Sequence, residues 1–123
     1  TPLAYYYLPG GLRFANTIGP VKNPSYMNWV NAMPRYRAAK PSKVVPELLN
    51  SINPGQQLLV IRPLTEGVAN WEAPWTQLVR RRTAQFFEII DKDKQFKQEA
   101  WAPHNYRGAC CIADSAVLFK KVS

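Results

Sequence analysis

Histidine and cysteine are nearly absent from this chain: His104 stands alone, and Cys110 and Cys111 are neighbours. Adjacent Cα atoms lie about 3.8 Å apart across a trans peptide, whereas a disulfide usually spans about 4.4 Å or more. An ordinary bridge between the two is disfavoured, and both read as small apolar side chains. The usual zinc ligand sets cannot be assembled from so few groups. No cofactor and no metal are expected. Apolar runs are also short. Leu58–Ile61 is strand-sized, far below the roughly 18 residues of a membrane span. The opening "TPLAYYYLPGG" lacks the basic start and long apolar middle of a signal peptide.

Groups for catalysis are just as sparse. "TEGVAN" holds a single glycine, and neither GxGxxG nor GxxxxGK[ST] occurs. A Ser-His-acid triad would have to use His104, which sits in the turn-rich stretch "WAPHNYRG". Of the carboxylates, only Asp91 with Asp93 and Glu66 with Glu72 lie near one another. Acid–base work needs two such groups in contrasting environments, and the first pair reads as a solvated turn. The chain by itself reads as non-catalytic.

What is present is a domain-sized globular composition, 46% hydrophobic over 123 residues. Lysine and arginine number 16 against 8 acidic residues, a net charge of +8. That balance points to anionic partners: nucleic acid, acidic lipid or an acidic polymer. The basic residues are spread from Arg13 to Lys121 with no block of five or more, so charge alone does not choose among them. The chain begins with Thr1, which suits either a trimmed chain or a piece of a longer protein.

Residues 1–22, rich in Tyr, Pro and Gly, read as an extended N-terminal segment with a turn at Gly10-Gly11. A single α/β domain is expected over 23–123. Asn23 and Pro24 read as a cap and first helical residue. Met27, Val30 and Trp29 would then face inward until Pro34 breaks the helix. In "PSKVVPELLNSINPG", Ser42 reads as the cap and Val45, Leu48, Leu49 and Ile52 as the apolar stripe. Asn53-Pro54-Gly55 ends it. "LLVI" then reads as a strand buried on both faces, as in an interior parallel sheet. A helix over about 74–91 follows, then the strands "QFKQEAWA" and "SAVLFKKV". The expected architecture is a small α/β fold. A mixed sheet of three to four strands has a central right-handed βαβ unit, with two to three helices packed on it.

Arg80, Arg81 and Arg82 interrupt the last helix. At about 100° per residue, Trp75, Leu78, Val79, Phe86, Ile89 and Ile90 form one stripe. Arg80 and Arg81 leave its flanks, while Arg82 points along it. The three guanidinium groups are thus expected to diverge, and Arg82 to snorkel or pair. In sheets with crossover helices, ligands collect beyond the carboxyl ends of the strands. Candidate binding residues at that rim are Arg62, Glu66, Asn70, Trp71 and Trp75; Arg82 on the helix and His104 in its loop are further candidates. Aromatic rings stack on the apolar face of a sugar while amide, carboxylate and guanidinium groups take its hydroxyls. The alternative is that Trp71 and Trp75 only staple the helix start to the core.

The stretches "WVNAMPRYRAAKPSKVVPELLNSINPGQQLLVIRPL" and "WEAPWTQLVRRRTAQFF" resemble the C-terminal soluble tail of actinobacterial multi-span membrane proteins of glycosyltransferase-C type. Such tails are small α/β domains whose first strand follows a Pro-Gly-x-x-Leu-Leu-Val phrase, here Pro54 to Val60. The resemblance implies a domain on the extracytoplasmic face of the membrane, part of a larger cell-envelope protein. Glycan or polyprenyl-linked sugar and the anionic membrane surface would be its partners. No catalytic motif of the family is present, so no catalytic residue carries over. The charge of +8 pulls the other way, since basic residues near spans favour the cytoplasmic side. A stand-alone cytoplasmic module that binds nucleic acid is the other open reading.

Overall fold

A computed structural model describes residues 2–63, 73–102 and 114–123. In chain order it contains α1 (Pro2–Tyr7), β1 (Phe14–Asn16), β2 (Gly19–Val21), α2 (Ala32–Ala38), α3 (Pro41–Asn50), β3 (Gln57–Pro63), α4 (Pro74–Lys92), β4 (Phe96–Ala102) and β5 (Asp114–Lys121). This is a small α/β fold. β1 and β2 form an antiparallel hairpin, and the main sheet has the order β3-β5-β4.

The helices follow from sequence patterns that local geometry can satisfy. Pro41 begins α3 and Pro74 begins α4, where proline's missing N–H costs nothing and its φ is already helical. Lys40, not Ser42, precedes the first helical residue of α3, and no side chain caps that end. Val45, Leu49 and Ile52 are buried on one side of the α3 region, with Leu48 packed against them. After α3, Gly55 adopts φ 86°, a conformation glycine takes without the Cβ clash other residues meet. Its N–H donates to the Lys121 carbonyl at 2.8 Å, so the turn is pinned to the central strand.

β5 pairs antiparallel with both neighbours, so β3 and β4 run in the same direction with β5 between them. The β3–α4–β4 unit is therefore a split βαβ, and no two adjacent strands are parallel. The sheet is antiparallel rather than mixed. Its physical consequence corrects the reading of "LLVI" as buried on both faces. Leu58 and Val60 pack on the core, whereas Leu59 and Ile61 are 41% and 43% exposed. An antiparallel sheet can leave one face to solvent, and here both helices lie on the other. The core joins Val45, Leu49 and Ile52 to Phe86 and Ile90 of α4, and to Phe96, Val117 and Phe119 of the sheet. Along β4, the register slips between Gln98 and Ala100, a bulge that adds Glu99 to one strand. The Glu99 carboxylate accepts a 2.7 Å hydrogen bond from the Gln57 side chain of β3.

The N-terminal part differs most from expectation. Residues 1–22 are not one extended segment: α1 and the β1–β2 hairpin lie within them. Arg13 donates to the Ser51 carbonyl at 3.2 Å, and the Thr17 hydroxyl to that of Tyr36, so the hairpin is tied to the helices. No helix starts at Pro24. The Asn23 side chain instead accepts from the Ser25 N–H at 3.1 Å, closing a turn on its own backbone. Helix α2 begins only at Ala32, and Pro34 lies inside its first turn. There proline displaces no hydrogen bond. Met27, Trp29 and Val30 consequently point outward, at 45%, 61% and 70% exposure.

Candidate binding cleft

The residues just before α2 hold an aromatic side chain in solvent by a set of backbone bonds. Asn28 Oδ1 accepts from the Val30 N–H at 3.0 Å, and the Ala32 N–H donates to the Trp29 carbonyl at 3.1 Å. Asn31 takes a left-handed conformation, φ 49°, which asparagine tolerates better than most residues. Arg35 reaches back from α2 and donates to the carbonyls of Val30 at 3.0 Å and Asn28 at 2.6 Å. This brace fixes Trp29 at the mouth of the helix.

Trp75, in the first turn of α4, meets that ring. The centroids of Trp29 and Trp75 are 5.4 Å apart with planes tilted by 56°, and Tyr36 stands 5.0 Å from Trp75 at 60°. Separations and tilts of this kind are the favourable ones for aromatic pairs. Tyr36 backs the Trp75 ring, and Trp29 and Trp75 line a shallow, open cleft of about 520 Å³ together with Ala32, Met33, Pro34 and Pro74. Its walls are apolar, with Asn31 as the polar group on its rim.

Tyr36 is the buried member of the trio. Burial pushes its hydroxyl above the ordinary tyrosine value, and the Thr17 hydrogen bond and the Arg82 charge offset part of that rise. The neutral phenol is therefore favoured in the folded state. Its contribution to stability is complete below the ordinary pKa, about 10, and is lost as pH rises through the higher folded value. Chemical denaturation across that alkaline range is expected to show falling stability. The Tyr36→Phe variant is expected to flatten this component of the slope.

The candidate residues named from the sequence fare unequally. Trp75 is at the cleft. Arg62 is not a free rim group: its Nε donates to Ser115 Oγ at 3.1 Å, and its guanidinium lies 4.4 Å over the Phe87 ring. It is a core-facing strut between β3, β5 and α4. Glu66, Asn70, Trp71 and His104 lie outside the described residues. Arg82 lies along the inner side of α4 as its spacing predicts, half-buried, while Arg80 and Arg81 are exposed. It pairs with no carboxylate among the described residues. Its Nη2 donates to the Arg37 carbonyl at 3.1 Å instead. The run of arginines thus makes no single phosphate-tracking surface.

Trp29 and Tyr36 were not singled out from the sequence as site residues. The signal was the spacing of "WVNAMPRY", which places two rings seven residues apart. Reading Trp29 as inward-facing concealed it. Compared with family models, curated proteins and solved structures, the chain matches none of them. Among the described residues, no helix is long and apolar enough to cross a membrane.

Proposed function

We propose that this chain is a non-catalytic domain of a membrane-embedded, glycosyltransferase-like cell-envelope protein, and that it contacts glycan through the Trp29–Trp75 cleft on the extracytoplasmic side. The observation that carries the glycan reading is a half-exposed pair of indole rings held at a fixed angle beside a tyrosine. Sugar rings present C–H groups on one face, and these pack on an aromatic surface while the hydroxyls stay hydrated. Rings already held in place lose little conformational freedom on binding, which favours affinity. The placement within a larger membrane protein rests on the resemblance carried by the Pro54–Val60 phrase and its neighbours. A binding role also suits a chain so poor in catalytic groups.

The test is a titration with neutral oligosaccharides, mannose and arabinofuranose oligomers first, followed by tryptophan fluorescence and amide shifts. Quenching and shifts confined to Trp29, Asn31 and Trp75 are expected. Trp29→Ala removes an exposed ring and is expected to weaken binding up to about tenfold, the effect of one aromatic contact of about 1.4 kcal/mol. The fold should survive, since the ring is 61% exposed. Neutral glycans that leave both tryptophans unperturbed would remove the glycan reading.

A further inference from the structure

A second cavity, of about 420 Å³, opens where α4 passes the start of α3, and Arg82 forms part of its wall. Lys40, Ser42, Gln85, Glu88 and Lys92 also line it. Arg82 is poorly compensated there. Its Nε is buried with no hydrogen-bond partner, and its Nη1 has only a long 3.4 Å contact to Gln85. The single ion pair among the described residues, Lys92 with Glu88, leaves it out. The Arg82 Nη2 is held by the Arg37 carbonyl, and among the described residues neither Arg82 nor Lys40 has a carboxylate partner at this wall. From this geometry we infer that the cavity is a binding site for a phosphate group.

The chemistry favours phosphate over a single carboxylate. Three cations, Lys40, Arg82 and Lys92, face one carboxylate, Glu88. The excess of +2 matches the charge of a phosphate monoester, about −1.5 to −2. The guanidinium, anchored by Nη2 on the Arg37 carbonyl, offers Nη1 to a phosphate oxygen in place of its long contact to Gln85. At the start of α3, Pro41 brings no N–H and no side chain caps the end. The Ser42 N–H and hydroxyl are left beside the cavity, where the helix dipole also favours an anion. Arg82 lies seven residues beyond Trp75, about 10 Å along α4, near enough for one phosphorylated glycan to touch both places. The phosphate site nevertheless stands on Arg82 and its neighbours and does not require the aromatic cleft to bind sugar.

The whole 123-residue chain is titrated with inorganic phosphate, glucose 1-phosphate, and vesicles of phosphatidylglycerol against phosphatidylcholine, all at matched ionic strength. The expected result is a saturable shift of the Ser42 and Lys43 amides. Lys40→Gln, at an exposed position with no capping bond, is expected to weaken binding several-fold. Arg82→Lys keeps the charge but loses the anchored Nη1 donor, and should weaken it by about tenfold. The probe that binds most tightly identifies the source: free phosphate, phosphosugar or lipid headgroup. Inorganic phosphate carries no sugar ring, so its binding tests the phosphate site alone, and failure of neutral-glycan binding and failure of the phosphate site are separate results. Shifts scattered over surface lysines, or affinity indifferent to both substitutions, would overturn the inference.

Discussion

Phe119→Ala is expected to destabilise the domain by about 3–5 kcal/mol. Phe119 occupies the middle strand and is 1% exposed. It packs among residues from α3, α4 and both edge strands, with the Phe87 ring 5.9 Å away. Removing it forfeits the transfer energy of an aromatic side chain and leaves a cavity between two helices and the sheet. Domains of this size are stable by only about 5–15 kcal/mol, so one substitution takes away a large share. Urea denaturation measures the loss. Phe119→Leu, which fills more of the space, is expected to recover part of it. A loss under about 1 kcal/mol for the alanine variant would place this side chain outside the true core.

The second large effect is expected at Lys121, which is 7% exposed and so unusual for its charge. Its Nζ donates to the Leu49 carbonyl at 3.1 Å and lies 5.6 Å from the Phe96 ring centre. Leu49 is in the last turn of α3, at the negative end of the helix dipole, and its carbonyl also accepts from the Ile52 N–H at 3.2 Å. Lysine therefore supplies both a hydrogen bond and a counter-charge, while its stem fills apolar space. Lys121→Met keeps the stem and removes the ammonium. It is expected to cost about 1.5–3 kcal/mol, the usual worth of a hydrogen bond to a charged group. If the methionine variant equals or exceeds the parent in stability, desolvation of the ammonium outweighs what it gains.

Helices α3 and α4 were legible because their signals are local, whereas α1 was read as extended and α2 was placed too early. Val45, Leu49, Phe86 and Ile90 recur at helical spacing, and the divergence of Arg80, Arg81 and Arg82 follows from rotation per residue alone. The turn after α3 was equally plain from Asn53-Pro54-Gly55. Strand pairing was not, because register and order depend on partners distant in sequence. "LLVI" carries apolar residues at outward and inward positions alike, so alternation could not reveal its open face. Asn23 and Pro34 misled for a related reason. Each has two local uses, a helix cap or a turn for one, a breaker or a first-turn residue for the other, and only the surrounding chain decides. Trp75, named from the sequence as a rim residue, lines the cleft, whereas Arg82 lies at the other cavity. Trp29 was missed because an exposed indole and a buried one look alike in sequence. The unsatisfied Arg82 Nε has no sequence signature at all.

The slip in β4 has a consequence for how copies of this chain would meet. One flank of the sheet is interrupted by Glu99 and bordered by Lys97, features that discourage another strand from adding there. The opposite flank, β3, runs from Gln57 to Pro63 without a break in its pairing and has Leu59 and Ile61 open to water. Among the described residues nothing pairs with the outer side of β3, so strand addition would be lopsided, beginning on that side short of Pro63 and disfavoured at the bulged one.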